Sequence, residues 1–196
     1  MRLRRINFTR YERVATAVFC LSIVSAPAQA NPFATAFERV EVQYMKRLAG
    51  VQNATPEKLK KFSTDGCSGG LSASWELLAS IVPKLKNKIG AQPPWLNCCT
   101  VHDRIYWKGE TENGFQKRLD ADEQLRACVV STGQRESAAL AVKWQKPQEE
   151  VEERFNWAAA MMYQAVRLGG QPCSGLSWRW GYGWPLCSEV GRSEEF

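Results

Sequence analysis

The sequence is 196 residues long, with 26 lysines and arginines against 20 aspartates and glutamates, a formal net charge of +6, a single histidine and seven cysteines. Five of the 26 basic residues but only one of the 20 acidic ones fall within residues 1–30, so 21 basic residues face 19 acidic ones in the remainder, a net +2. That excess is too small for the basic patch a nucleic-acid binder needs, and the 166 residues from 31 to 196 are enough for one domain with a modest core.

In chain order, residues 1–30 read as a secretory signal. Arg2, Arg4, Arg5, Arg10 and Arg13 precede an apolar run from Val14 to Val24, followed by the small-residue cleavage pattern Ala28, Gln29, Ala30. The run is shorter than the roughly 20 apolar residues that span a bilayer. The pair Arg4 and Arg5 fits a general basic start as well as a twin-arginine signal. The mature chain is expected to begin at Asn31, cut from Ala30, as a single domain over 31–196 that is secreted or periplasmic. Cys20 leaves with the signal, and Cys67, Cys98, Cys99, Cys128, Cys173 and Cys187 remain. Six thiols in an exported chain argue for three disulfides, with 15 possible pairings.

Phe33, Phe37, Val40, Tyr44 and Leu48 recur every three or four residues, the spacing of an amphipathic helix that ends near Gly50. Thr55, Pro56 and Glu57 predict a short second helix with Thr55 as its cap. Residues 63–70 are small and glycine-rich, hence loop, and 72–86 read as helix. Pro93 and Pro94 stop any helix there. Two helical segments follow, 95–107 and 119–130, joined by a turn-prone stretch containing Gly109 and Gly114. Val151, Phe155, Ala159, Met162 and Val166 mark a further helix, opened by the acids from Glu149 to Glu153 and ended by Gly169 and Gly170. In the tail from Cys173 to Cys187, Trp178, Trp180, Tyr182 and Trp184 alternate with small or charged residues, which is the periodicity of a strand or hairpin. The class is mostly α with one small Trp-rich β or loop element, stapled by disulfides.

Chemistry concentrates in Cys98-Cys99-x-x-His102-Asp103-x-x-Tyr106. At about 100° per residue these five side chains share one arc of about 140°. On the second segment Asp122, Leu125 and Cys128 stand three apart and share a stripe. If the two helices run antiparallel and Cys98 bonds Cys128, His102 lies about 6 Å along one axis and Asp122 about 9 Å along the other. The offset of about 3 Å is bridged by a hydrogen bond, whereas Asp120 misses by about 6 Å. A carboxylate on one imidazole nitrogen fixes the tautomer and leaves the other free to take a proton from water.

These residues, together with Asp122 six before Cys128, resemble the secreted phospholipase A2 family over roughly residues 62–130. The loop Ser63-Thr64-Asp65-Gly66-Cys67 is similar to the short calcium loop of its bacterial and fungal branch. The resemblance implies a phospholipase A2-like core with two antiparallel catalytic helices. It implies a calcium-dependent enzyme that cleaves the sn-2 ester of glycerophospholipids at a membrane surface or micelle. His102 would be the general base, Asp122 its orienting partner and Tyr106 a hydrogen-bonding support. Asp103 and Asp65 would ligate Ca2+ through their carboxylates and Gly66 through its carbonyl; oxygen-only donors suit that hard cation. It also implies the disulfides Cys67–Cys99 and Cys98–Cys128, leaving Cys173 for Cys187. Asp120 stays open as a rival to Asp122, because Arg118-Leu119-Asp120 resembles the stretch that holds the catalytic aspartate in some bacterial members.

Other readings compete with this one. A structural zinc site is disfavoured by paired cysteines in an oxidising compartment and by an oxygen-rich loop. His102 with Asp122 is also a stable buried pair without catalysis, and Asp65 is also a normal turn residue. The tail either packs over the core or docks on lipid headgroups, with Arg179 meeting phosphates. At the level of function the alternative is a catalytically silent, phospholipase A2-like lipid- or protein-binding module of the cell envelope, or a structural envelope protein. No residue pattern points to a partner protein.

Overall fold

In the computed structural model, residues 32–67 and 93–190 are described. The signal reading of 1–30 and the helix expected over 72–86 lie outside them, as do Ser68, Gly69 and Gly70. The elements are α1 (Pro32–Ala54), a 3-10 turn (Pro56–Lys58), α2 (Leu96–Lys108), α3 (Gly114–Trp144), α4 (Gln148–Gly169) and the short α5 (Cys187–Val190). No strand occurs among the described residues.

α1 forms where the sequence predicts it but runs on to Ala54, and its buried face keeps the expected Leu48 but takes Glu41 and Met45 in place of Val40 and Tyr44. Glu41, Met45, Leu48 and Val51 are buried, while Val40 is exposed. A buried glutamate in the middle of an otherwise apolar stripe costs heavily unless it is paired, and Glu41 is paired twice. Thr55 does not cap the 3-10 turn; its hydroxyl donates backward to the Val51 carbonyl at 2.8 Å and closes the last turn of α1 instead.

α2 ends where Gly109, at φ 56°, adopts the left-handed conformation and donates its N–H to the Ile105 carbonyl. α3 starts after Asn113 and continues far past Val130, to Trp144. The extension packs α3 lengthwise on α4, and Gly133 makes this possible: a Cβ there would stand 2.5 Å from Cβ of Phe155. The expected core positions of α4, Val151, Phe155, Ala159, Met162 and Val166, are all buried. Each contributes on the order of 1–3 kcal/mol by leaving water.

The three disulfides are Cys67–Cys99, Cys98–Cys128 and Cys173–Cys187. Cys98 pairs with Cys128 while His102, four residues on, meets Asp122, six residues back, so α2 and α3 run antiparallel.

The tail corrects the strand reading. Residues 170–186 form successive turns: Arg179 N donates to Leu176 O, Tyr182 N to Arg179 O and Trp184 N to Gly181 O. Gly175 and Gly181 take positive φ, and such reversals are incompatible with an extended ladder. The turns lie on the C-terminal end of α2. Gly181 N–H donates to the Tyr106 carbonyl, Gly183 N–H to the Trp107 carbonyl and Trp184 Nε1–H to the Lys108 carbonyl. A helix end leaves such carbonyls without partners, and the tail supplies them. Arg179 is buried and directed inward, donating to the carbonyls of Leu176, Trp184 and Pro185. No described helix is long and apolar enough to cross a membrane.

Candidate active site

The site lies on the facing sides of α2 and α3. Asp122 is completely buried, and its Oδ1 stands 2.9 Å from His102 Nε2 and accepts a 2.6 Å hydrogen bond from the Tyr106 hydroxyl. The imidazole and phenol rings are tilted against each other with centroids 4.1 Å apart. Tyr106 is held from behind by Trp180 and lies against Gly170, where a Cβ would come within 2.7 Å of its ring. Burial, then the charge of Asp122, pushes the Tyr106 phenol well above its ordinary value, so it stays a donor. Asp120, two residues away, is exposed and accepts from Gln116 at 2.8 Å. The structure therefore brings Asp122, and not Asp120, to His102.

With Asp122 accepting from Nε2–H, Nδ1 is the nitrogen left free, and it lies 3.9 Å from Oδ1 of Asp103. His102 and Asp103 line a small cavity with Gly66, Cys67, Cys99, Leu125, Val166 and Trp178. Burial opposes a charge on His102, but the carboxylates of Asp103 and Asp122 outweigh it, and its pKa is raised above 6.5.

The loop reaches the same cavity through three tethers. Cys67 is bonded to Cys99, the Thr64 hydroxyl donates to Asp103 Oδ2 at 2.5 Å, and the Tyr182 hydroxyl donates to the Ser63 carbonyl at 2.7 Å. Gly66 turns the loop at φ 71° and donates its N–H to the Thr64 hydroxyl. Burial, and next the charges of Asp103 and Asp65, raise the Tyr182 phenol above its ordinary value.

Among the described residues no group of three or more His, Cys, Asp or Glu side chains is disposed around a metal position. The polar groups placed beside the Asp103 carboxylate are the Thr64 hydroxyl on Oδ2 and, 3.9 Å from Oδ1, Nδ1 of His102.

Spacing alone missed a charged group behind Asp122. Arg118 and Arg167 both donate to Asp122 Oδ2, at 3.2 and 3.0 Å, and both bond Glu41, Arg118 through Nε to Oε1 at 2.9 Å and Arg167 to Oε2 at 2.8 Å. Burial raises the Glu41 carboxyl above its ordinary value, with Arg118 and Arg167 pulling the other way. One signal was present in the sequence: Arg118 is four residues before Asp122 on the same helix face. Nothing local pointed to Glu41 or Arg167.

Compared with protein-family models, with curated proteins and with solved structures, the chain matches none.

Proposed function

We propose that the chain hydrolyses the sn-2 ester of glycerophospholipids in a calcium-dependent reaction at a membrane surface or micelle. The observation that carries this reading is that His102 and Tyr106 both bond Oδ1 of buried Asp122, while His102 lines a cavity with Asp103 and the Gly66 turn. Nδ1 of His102 takes a proton from a water whose oxygen bonds to the ester carbonyl carbon. The same nitrogen returns that proton to the glycerol oxygen as the acyl C–O bond breaks, releasing a fatty acid and a lysophospholipid. Asp122 keeps Nε2 as the protonated nitrogen and supports the imidazolium while it exists, and the Tyr106 hydroxyl fixes the carboxylate. Calcium bound by Asp103, Asp65 and the Gly66 carbonyl would polarise the ester carbonyl and stabilise the negative charge developing on its oxygen. Leu125, Val166 and Trp178 line the same small cavity with apolar side chains. Three disulfides suit a secreted or periplasmic protein.

The test is fatty acid release from phospholipid–detergent micelles by the protein from Asn31 onward, with calcium or with a chelator, against His102→Gln. Release should require calcium and fall by at least about a hundredfold in the variant. Equal release by the two proteins would remove the enzyme reading, and a wild type that binds micelles without hydrolysis would favour the silent lipid-binding module.

A further inference from the structure

The carboxylate that faces His102 is itself gripped from its far side. Oδ1 of Asp122 is given to His102 and Tyr106, and Oδ2 to Arg118 and Arg167. The two guanidiniums are in turn bridged by the two oxygens of Glu41, from α1. Arg118 also donates to the main-chain carbonyls of Val166 and Arg167 at the end of α4. Two carboxylates and two guanidiniums thus balance in charge, with Glu41, Arg118 and Asp122 fully buried and only the Arg167 end reaching solvent. Ion pairs buried this deeply are a poor way to gain stability, since well-packed apolar side chains of similar volume do as well or better. They are a good way to fix direction: two guanidiniums donating to Oδ2 of Asp122 leave Oδ1 for His102 and Tyr106, and both guanidiniums are themselves held by Glu41.

We propose that Glu41 is a positioning residue: by fixing Arg118 and Arg167 it sets the plane of the Asp122 carboxylate so that Oδ1 faces Nε2 of His102. The site is then completed by α1, which shares no sequence neighbourhood with the catalytic helices. This rests on the proposed hydrolysis for its kinetic consequence, but not for its structural one, because the protonated nitrogen of His102 can be read directly.

The experiment compares Glu41→Gln, Arg167→Gln and Arg167→Lys with the wild-type protein by 15N chemical shifts of the His102 ring, unambiguous because the chain has one histidine. It also compares kcat and KM on micelles. In the wild type above the imidazole titration, Nε2 should carry the proton and Nδ1 none. In Glu41→Gln and Arg167→Gln the two tautomers should mix and kcat should fall by about tenfold or more with KM unchanged, and Arg167→Lys should lie between. If the wild type proved inactive on lipid, the hydrolysis reading would fail while the tautomer shift would still decide this one. Folded variants that keep the wild-type tautomer would overturn the proposal. So would failure of all three variants to fold, since the cluster would then be scaffold alone.

Discussion

Asp120 and Asp122 are two residues apart on α3 and differ in everything they touch. One is exposed beside Gln116, the other buried against His102 and Tyr106. Asp122→Asn should therefore reduce kcat for fatty acid release by about a thousandfold or more, because an amide no longer selects the Nε2–H tautomer, while Asp120→Asn should stay near wild type. Comparable losses in both would contradict the assignment. The His102 titration gives a second check. With its pKa raised by Asp103 and Asp122, the protonated ring contributes stability that is fully present below the ordinary 6.5 and is lost as pH rises through the folded value. NMR titration of the calcium-free protein should find the midpoint above 6.5, and calcium should lower it by neutralising Asp103. A calcium-free midpoint below 6.5 would contradict the carboxylate surroundings. At this scale the His102–Asp122 pairing was legible because helix rise and one cystine set the register. The Glu41 contact was not, since nothing in local spacing brings residue 41 to residue 118.

At the scale of elements, the positions that the sequence placed well are those whose periodicity answers to one packing partner, as in α4. In α1 the expected Leu48 is buried, but hydrophobicity alone points to Val40 and Tyr44 where the structure buries Glu41, between two arginines, and Met45, leaving Val40 in solvent. The tail misled for a related reason: alternating aromatics suggest a strand, but here Trp180 and Trp184 reach separate carbonyls at the end of α2 and its following turn while the backbone turns between them. Gly181 is the hinge of that arrangement. It has φ 74°, and a Cβ would stand 2.6 Å from Leu48, whereas Gly175 has φ 81° with open space around it. Gly181→Ala should cost about 2–4 kcal/mol and Gly175→Ala about 1 kcal/mol, measured by denaturant midpoint at constant m. Equal costs would mean that the tail does not pack on α1 as described.

The described residues form a helical scaffold held by three cystines, one of which lines the site. Cys67–Cys99 brings the loop, Cys98–Cys128 sets the helix register, and Cys173–Cys187 closes the tail over a separation of 14 residues. Replacing Cys173 and Cys187 by serine should lower stability by about 3 kcal/mol, the loop-closure entropy for that length, read from the denaturant midpoint. The overall class and the His102–Asp122 pair were legible in the sequence through short spacings. The long α3, the capping tail and the buried charge cluster depend on contacts between distant segments that no local pattern encodes. The central claim is positional and calcium-dependent ester hydrolysis. It is tested most directly by phosphatidylcholine carrying different labelled chains at sn-1 and sn-2, with products identified by mass spectrometry. Calcium-dependent release of the sn-2 chain, leaving lysophospholipid with the sn-1 chain, is the expected result; release of the sn-1 chain or headgroup, or release unchanged by a chelator, would contradict it.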